Sequence, residues 1–263
     1  YFANSPPSTD IYYGVAYGNG AFVLVGKNGV ITESDDKINW YARSSGTSYE
    51  IFAVTYGNGI FAAVGENTAG DGPIILTSPD GVIWTRRYAP VEAYNDLNGV
   101  TFGNGKFVAV GRYGNIVDSP DGINWTKRAS GTTTHLKAVA YGYGTFVAVG
   151  EAGLILSSPI DPGWTQRTSG TTRNLLSVTY DGKGRFFVGD KEGYIGYNSV
   201  VICSPLSGAP GLLSPSDGAT GVSTTPLLDW LNVSGAVGYN VQVCTDSSCS
   251  TVVRSSSGLG SSQ

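Results

Sequence analysis

Apolar residues along this chain come in short runs separated by glycine pairs and polar turns, a pattern of strands and tight hairpins rather than of helices. Four runs share one form: Phe22-Val-Leu-Val-Gly26, Phe61-Ala-Ala-Val-Gly65, Phe107-Val-Ala-Val-Gly111 and Phe146-Val-Ala-Val-Gly150. Uniformly apolar runs of this length predict buried inner strands. Upstream stand Ala53-Val-Thr-Tyr56, Gly99-Val-Thr-Phe102 and Ala138-Val-Ala-Tyr141, and Gly-Asn-Gly or a variant separates each pair. The glycine pair is the tight turn of a hairpin, since glycine supplies the positive φ that such turns need.

The unit recurs, with its last hairpin glycine at Gly20, Gly59, Gly105, Gly144 and Gly184, spacings of 39, 46, 39 and 40 residues. After each hairpin come a third strand and, in the first four units, a turn into tryptophan. The turn is regular in Ser78-Pro79-Asp80-Gly81-Val82-Ile83-Trp84 and Ser119-Pro120-Asp121-Gly122-Ile123-Asn124-Trp125, and worn over 34–40 and 158–164. Proline presets φ, aspartate bonds the turn backbone, glycine takes the left-handed position, and tryptophan packs between neighbouring sheets. A four-stranded unit cannot bury both faces alone, so repeats of this length stack radially into a propeller, which also removes exposed sheet edges.

Spacing suggests how the ring closes. Trp40, Trp125 and Trp164 precede Tyr56, Tyr141 and Tyr180 by 16 residues, and Tyr1 precedes Tyr17 by the same interval. The fifth unit runs to about 193–199 and lacks a tryptophan near Ser204. Tyr1 to Pro6 therefore read as an orphan fourth strand completing that unit. The expected fold is all-β: a five-bladed β-propeller over 1–204 closed by the N-terminal strand, a linker over 205–211, and a partial β-sandwich over 212–263.

The tryptophan turns resemble the Asp-box (BNR) repeats of sialidase-like propellers over residues 11 to 200, although the usual residue between aspartate and glycine is missing. That resemblance implies a turn placed away from the ligand face. Sialidase activity would imply an arginine triad gripping a carboxylate, a tyrosine nucleophile with a glutamate partner, and an aspartate acid. Arg43, Arg87, Arg128 and Arg167 instead each follow a repeat tryptophan by three residues, which places them as supports on outer strands. The same turns and the Trp-x-x-Arg pattern are similar to photosystem assembly factors of propeller form, in which more blades are expected. Beyond the linker, Leu213 to Val222, Pro226-Leu-Leu-Asp-Trp230 and Gly238-Tyr-Asn-Val-Gln-Val-Cys244 resemble about half of a fibronectin type III or Ig-like sandwich.

Composition narrows the partners. The 38 glycines and 14% charged residues suit many tight turns, and a net charge of -4 without a basic run argues against nucleic acid or an anionic membrane surface. No apolar stretch approaches the roughly 20 residues that span a bilayer, and none of these residues reads as a signal peptide. Cys244 and Cys249 flank a polar turn as a local disulfide would, which points to an oxidising, extracellular setting and leaves Cys203 without a partner. The single histidine, His135, reads as a loop residue, and no cysteine–histidine cluster offers a metal site. The acidic loop Glu66 to Gly72 lacks the alternating oxygen ligands of a calcium site. No cofactor is implied.

Ligand contact falls to the end opposite the tryptophan turns, where loops vary while strands repeat. Tyr49, Tyr94, Arg112, Tyr113, His135 and Arg173 are the candidate ligand-binding residues, because aromatic rings cover apolar faces while polar groups fix orientation. The expected function is an extracellular, non-enzymatic binding or adhesion module for a glycan or protein at a cell surface. Two alternatives stand beside it. One is a structural subunit of a surface filament or lattice, self-associating through the incomplete sandwich or Cys203. The other is a sialidase-like glycosidase or lyase, which requires two carboxylates about 5–10 Å apart on one face.

Overall fold

In the computed structural model, which describes residues 10–68, 72–91, 95–158, 163–192 and 195–198 and four later strands, the first four hairpin glycines sit in two-residue turns. Asn19 (φ 48°) and Gly20 (φ 81°) are both left-handed, as are Asn58–Gly59, Asn104–Gly105 and Tyr143–Gly144. This is the turn whose twist matches that of paired strands, and asparagine tolerates the left-handed region better than most residues.

Five antiparallel sheets follow one another among the described residues. The first comprises β1 (Tyr12–Gly18), β2 (Ala21–Gly26), β3 (Ile31–Ser34) and β4 (Tyr41–Arg43). The second comprises β5 (Ile51–Gly57), β6 (Ile60–Thr68), β7 (Gly72–Ser78) and β8 (Thr85–Arg87). In the third are β9 (Leu97–Gly103), β10 (Lys106–Gly111), β11 (Ile116–Ser119) and β12 (Thr126–Arg128). The fourth holds β13 (Leu136–Gly142), β14 (Thr145–Gly150), β15 (Ile155–Ser158) and β16 (Thr165–Arg167). A three-stranded fifth holds β17 (Ser177–Tyr180), β18 (Phe186–Gly189) and β19 (Ile195–Asn198). Strand order within each sheet is sequential. The second strands are largely buried, as their uniformly apolar sequence predicts, the third strands of the first four sheets are buried as well, and the short outer strands are largely exposed.

Consecutive sheets pack face to face, each pair closing its own core. Val23, Val25 and Ile31 of the first sheet meet Ile51, Val54, Phe61, Ala63 and Leu76 of the second. Equivalent clusters join the second to the third, the third to the fourth and the fourth to the fifth. A glycine fixes each approach. A Cβ built on Gly18 would lie 1.9 Å from the ring of Tyr56, and on Gly57, Gly103 or Gly142 it would fall 2.0, 2.1 or 2.2 Å from the rings of Phe102, Tyr141 or Tyr180. Thus the residue before each hairpin turn is a seat for the aromatic ring of the next sheet.

The end sheets depart from this rule. In the fifth, Asp181 stands where the others have the seat glycine, and its carboxylate accepts from the Lys183 N–H (2.7 Å) and Arg185 Nε (2.8 Å). In the first sheet Tyr17, the ring that would take a seat, is exposed. Val15 is 62% exposed, whereas its counterparts Val54, Val100 and Val139 are 8% exposed.

The tryptophan turns adopt the expected geometry. Asp80 Oδ1 accepts from the N–H groups of Val82 (2.9 Å) and Ile83 (3.2 Å), and Gly81 is left-handed with φ 79°. Trp84 Nε1 donates to the Gly81 carbonyl at 2.9 Å, while its ring packs against Phe61 and the core between the first two sheets. The turn at Asp121 repeats every one of these contacts. In the worn copy Lys37 replaces the glycine at φ 66°, and Trp40 Nε1 is buried without a hydrogen-bond partner among the described residues. Arg43, Arg87, Arg128 and Arg167 reach back across their sheets to Glu33, Thr77, Asp118 and Ser157, the supporting role their spacing implied.

The chain separates into two compact units, Tyr1–Ile202 and Cys203–Gln263. In the second, Leu212–Ser214 pairs with Asp229–Trp230, and Tyr239–Cys244 with Val252–Leu259. The expected exchange of Tyr1 to Pro6 into the fifth sheet, Cys203, and the partner cysteine Cys249 lie outside the described residues.

Candidate functional site

Two bonds fix which loops share an end. Asn19 Nδ2 donates to the Pro79 carbonyl and Asn58 Nδ2 to the Pro120 carbonyl, each at 3.2 Å, so the first hairpins and the tryptophan turns lie together. The turns between second and third strands, and the connections between sheets, occupy the opposite end.

That opposite end is built by a second repeat. Asn28, Tyr113 and Ala152 are left-handed at φ 56°, 54° and 53°, and each precedes a left-handed glycine. In the connections, Ser45, Ser130 and Ser169 donate to the carbonyls of Thr47, Thr132 and Thr171 two residues on. Those same carbonyls press on Gly29, Gly114 and Gly153, where a Cβ would come within 1.9–2.2 Å. Glycine is required there by contact as well as by φ.

Between the third and fourth sheets the repeat carries distinctive side chains. Tyr113 is 56% exposed, and its N–H donates to His135 Nδ1 at 2.9 Å with the two rings edge to face at 4.8 Å. Arg112 Nε pairs with Asp96 at 2.7 Å, and Lys137 Nζ with Glu151 at 2.8 Å. The Lys137 hydrogen bond, helped by the charges of His135 and Arg112, holds the Glu151 carboxyl below its ordinary value. Glu151 also lines a cleft of about 1000 Å³ whose other walls include Thr132, Thr134, Gln166 and Arg173. Arg173 bonds Asp190 (2.9 Å) and Glu192 (2.6 Å).

Four of the six predicted ligand residues thus gather at this end of the third to fifth sheets: Arg112, Tyr113 and His135 in one cluster, with Arg173 on a wall of the adjoining cleft. Tyr49 lies apart, lining a separate cleft of about 500 Å³ with Trp84, Arg86 and Tyr88. Tyr94 falls outside the described residues, as does the side chain of Cys244. Sequence reasoning missed Asp96 and Lys137. Asp96 stands one residue before Leu97, the repeat position that His135 holds before Leu136 and Asn174 before Leu175, so one residue per repeat at that site was the available signal. Among the described residues no group of three or more metal-ligating side chains occurs.

No family profile and no curated protein matches the chain. Its fold has counterparts among solved structures. YCF48 from Cyanidioschyzon merolae aligns with a TM-score of 0.56 at 17% identity, over 86% of this chain and 74% of that one. YCF48 bound to D1 peptide aligns at 0.55 and 20% identity, over 73% of this chain and 66% of the other. The WD40 β-propeller domain of Doa1 gives 0.53 at 12% identity, over 74% and 67%. Successive antiparallel sheets packed face to face, together with these likenesses, define the fold as a β-propeller, and its sheets are the blades.

Proposed function

We propose that this chain is a non-enzymatic propeller that binds a segment of another protein at the loop end of its third and fourth blades. The observation that carries this reading is Tyr113, a large ring held exposed in a left-handed backbone conformation that costs a non-glycine residue about 1 kcal/mol or more. A ring so placed, against His135, gives an incoming chain an apolar anchor, while Arg112, Lys137 and the cleft residue Glu151 supply orienting charges. The cleft walls add threonine hydroxyls and backbone groups suited to a polypeptide. A propeller of the same fold has a D1 peptide bound to it, which supports a peptide as the ligand class here.

The acids at this end favour binding over catalysis. Asp96, Glu151 and Asp190 are each committed to a cation, and an ionised, paired carboxylate is a poor proton donor. An extracellular setting fits the Cys244–Cys249 pairing that the sequence suggests.

The test is to screen the full chain against a displayed random-peptide library and, in parallel, a glycan array. Dissociation constants of the selected peptides are then measured with Arg112→Ala and Tyr113→Gly. Peptides should be enriched, and each substitution should weaken them about tenfold or more. Enrichment of glycans alone, or peptides indifferent to both substitutions, would overturn the reading.

A further inference from the structure

His135 lines the proposed site, and it also pins two blades together. It stands directly before β13, where its carbonyl accepts from the Glu151 N–H at 3.0 Å and its Nδ1 accepts from the Tyr113 N–H at 2.9 Å. One blade on, Asn174 holds the same position, and its Oδ1 accepts from the Ala152 N–H at 3.0 Å. The fold therefore uses a side-chain acceptor here to hold the left-handed residue of the preceding blade's turn. Of the two seams that make this bond, the one at Tyr113 uses an acceptor that titrates.

An Nδ1 that accepts requires the tautomer with its proton on Nε2. Imidazolium carries protons on both nitrogens, so a protonated His135 would turn a donor toward the Tyr113 N–H and the bond would be lost. The residues on either side are held separately, Arg112 N–H by the Asp96 carbonyl at 3.0 Å and Asn115 N–H by the Arg112 carbonyl at 3.1 Å, whereas the Tyr113 N–H itself is held by His135, in a backbone conformation that is intrinsically unfavourable and with a ring that is largely exposed. We propose that protonation of His135 releases the Tyr113 turn, making the loop end of the third and fourth blades an acid-sensitive switch.

The charged groups gathered with His135 are Glu151 from the turn after β14, which interacts with it electrostatically, Arg112 next to Tyr113, and the ion-pair partners of these two, Lys137 and Asp96. Each cation is itself paired, Arg112 with Asp96 and Lys137 with Glu151. For its consequence, loss of ligand in acid, the switch rests on the binding reading. The release of the turn does not.

Hydrogen exchange of the Tyr113 amide in the full chain, corrected for intrinsic rate, tests it between about pH 7.5 and about pH 5, the range in which histidines titrate. The His135 ring is followed by NMR in the same samples. Protection at Tyr113 should fall about tenfold as the imidazole protonates, the loss expected for one hydrogen bond. His135→Asn, which restores the acceptor found at Asn174, should keep protection high and flat, and the Ala152 amide should not change in either protein. Constant Tyr113 protection through protonation, an equal fall in His135→Asn, or no protonation above about pH 5 would each overturn the proposal. Because the measurement needs no ligand, a failed binding screen leaves it standing, and its own failure leaves the binding reading intact.

Discussion

At the scale of the residue, the loop end owes its character to side chains in left-handed backbone positions. Asn28, Tyr113 and Ala152 occupy equivalent turns, yet only asparagine is well suited to that conformation. Tyr113→Gly should therefore leave the urea unfolding midpoint unchanged or slightly raised, while Tyr113→Val, a β-branched residue, should cost about 1–2 kcal/mol. A midpoint lowered alike by both would mean that the ring, rather than the backbone, governs stability there. Sequence reading reached Arg112, Tyr113 and His135 because loops that differ while their strands repeat stand out. It did not reach the ion pairs, since Asp96 meets Arg112 and Lys137 meets Glu151 at the open ends of the hairpins, where the register between the two strands decides which side chains face each other.

At the scale of the element, the tryptophan turns are small self-contained devices. Backbone N–H groups of Asn39 and Ile38 hold the Asp36 carboxyl down to about 2, and the same arrangement lowers Asp80 and Asp121. A carboxylate depressed in the folded state adds stability above its ordinary value near 3.8 and loses it as pH falls toward the folded value near 2. The unfolding midpoint should drop across that window, and replacing Asp36, Asp80 and Asp121 together by asparagine should flatten the drop. An undiminished acid transition in that variant would assign it to other carboxylates. The internal hydrogen bonds of these turns were legible because the partners of the aspartate carboxylate and of the tryptophan Nε1 lie within three residues in sequence. The seat glycines were only half legible. Their place before each hairpin was plain, but what they meet is an aromatic ring a whole repeat away. Gly103→Ala, which would thrust a methyl group into the Tyr141 ring, should cost about 1–3 kcal/mol or more. Gly131→Ala, strained in backbone but open in space, should cost about 1 kcal/mol. Equal effects would remove the ring contact as the reason for the glycine.

At the scale of the whole molecule, a period of about 40 residues was enough to read a stack of like sheets, because each sheet needs its neighbour to bury its faces. The ends of the stack obey other rules, with Asp181 at the last seat and the ring of Tyr17 exposed. Val15→Asp on the first blade should change stability by less than about 0.5 kcal/mol, and Val139→Asp, its buried counterpart, should cost about 3 kcal/mol or more. A large loss for Val15→Asp would show that this face is covered in solution. Function belongs to this scale too, since the site is made where two blades and a connecting loop meet. The most direct test is a hydrogen-exchange footprint of the full chain with a peptide selected against it. Protection should rise over 112–114, 135–137 and 151–153 and stay unchanged over the tryptophan turns at 34–40, 78–84 and 119–125. Protection centred on those turns, with the Tyr113 region unchanged, would contradict binding at the loop end.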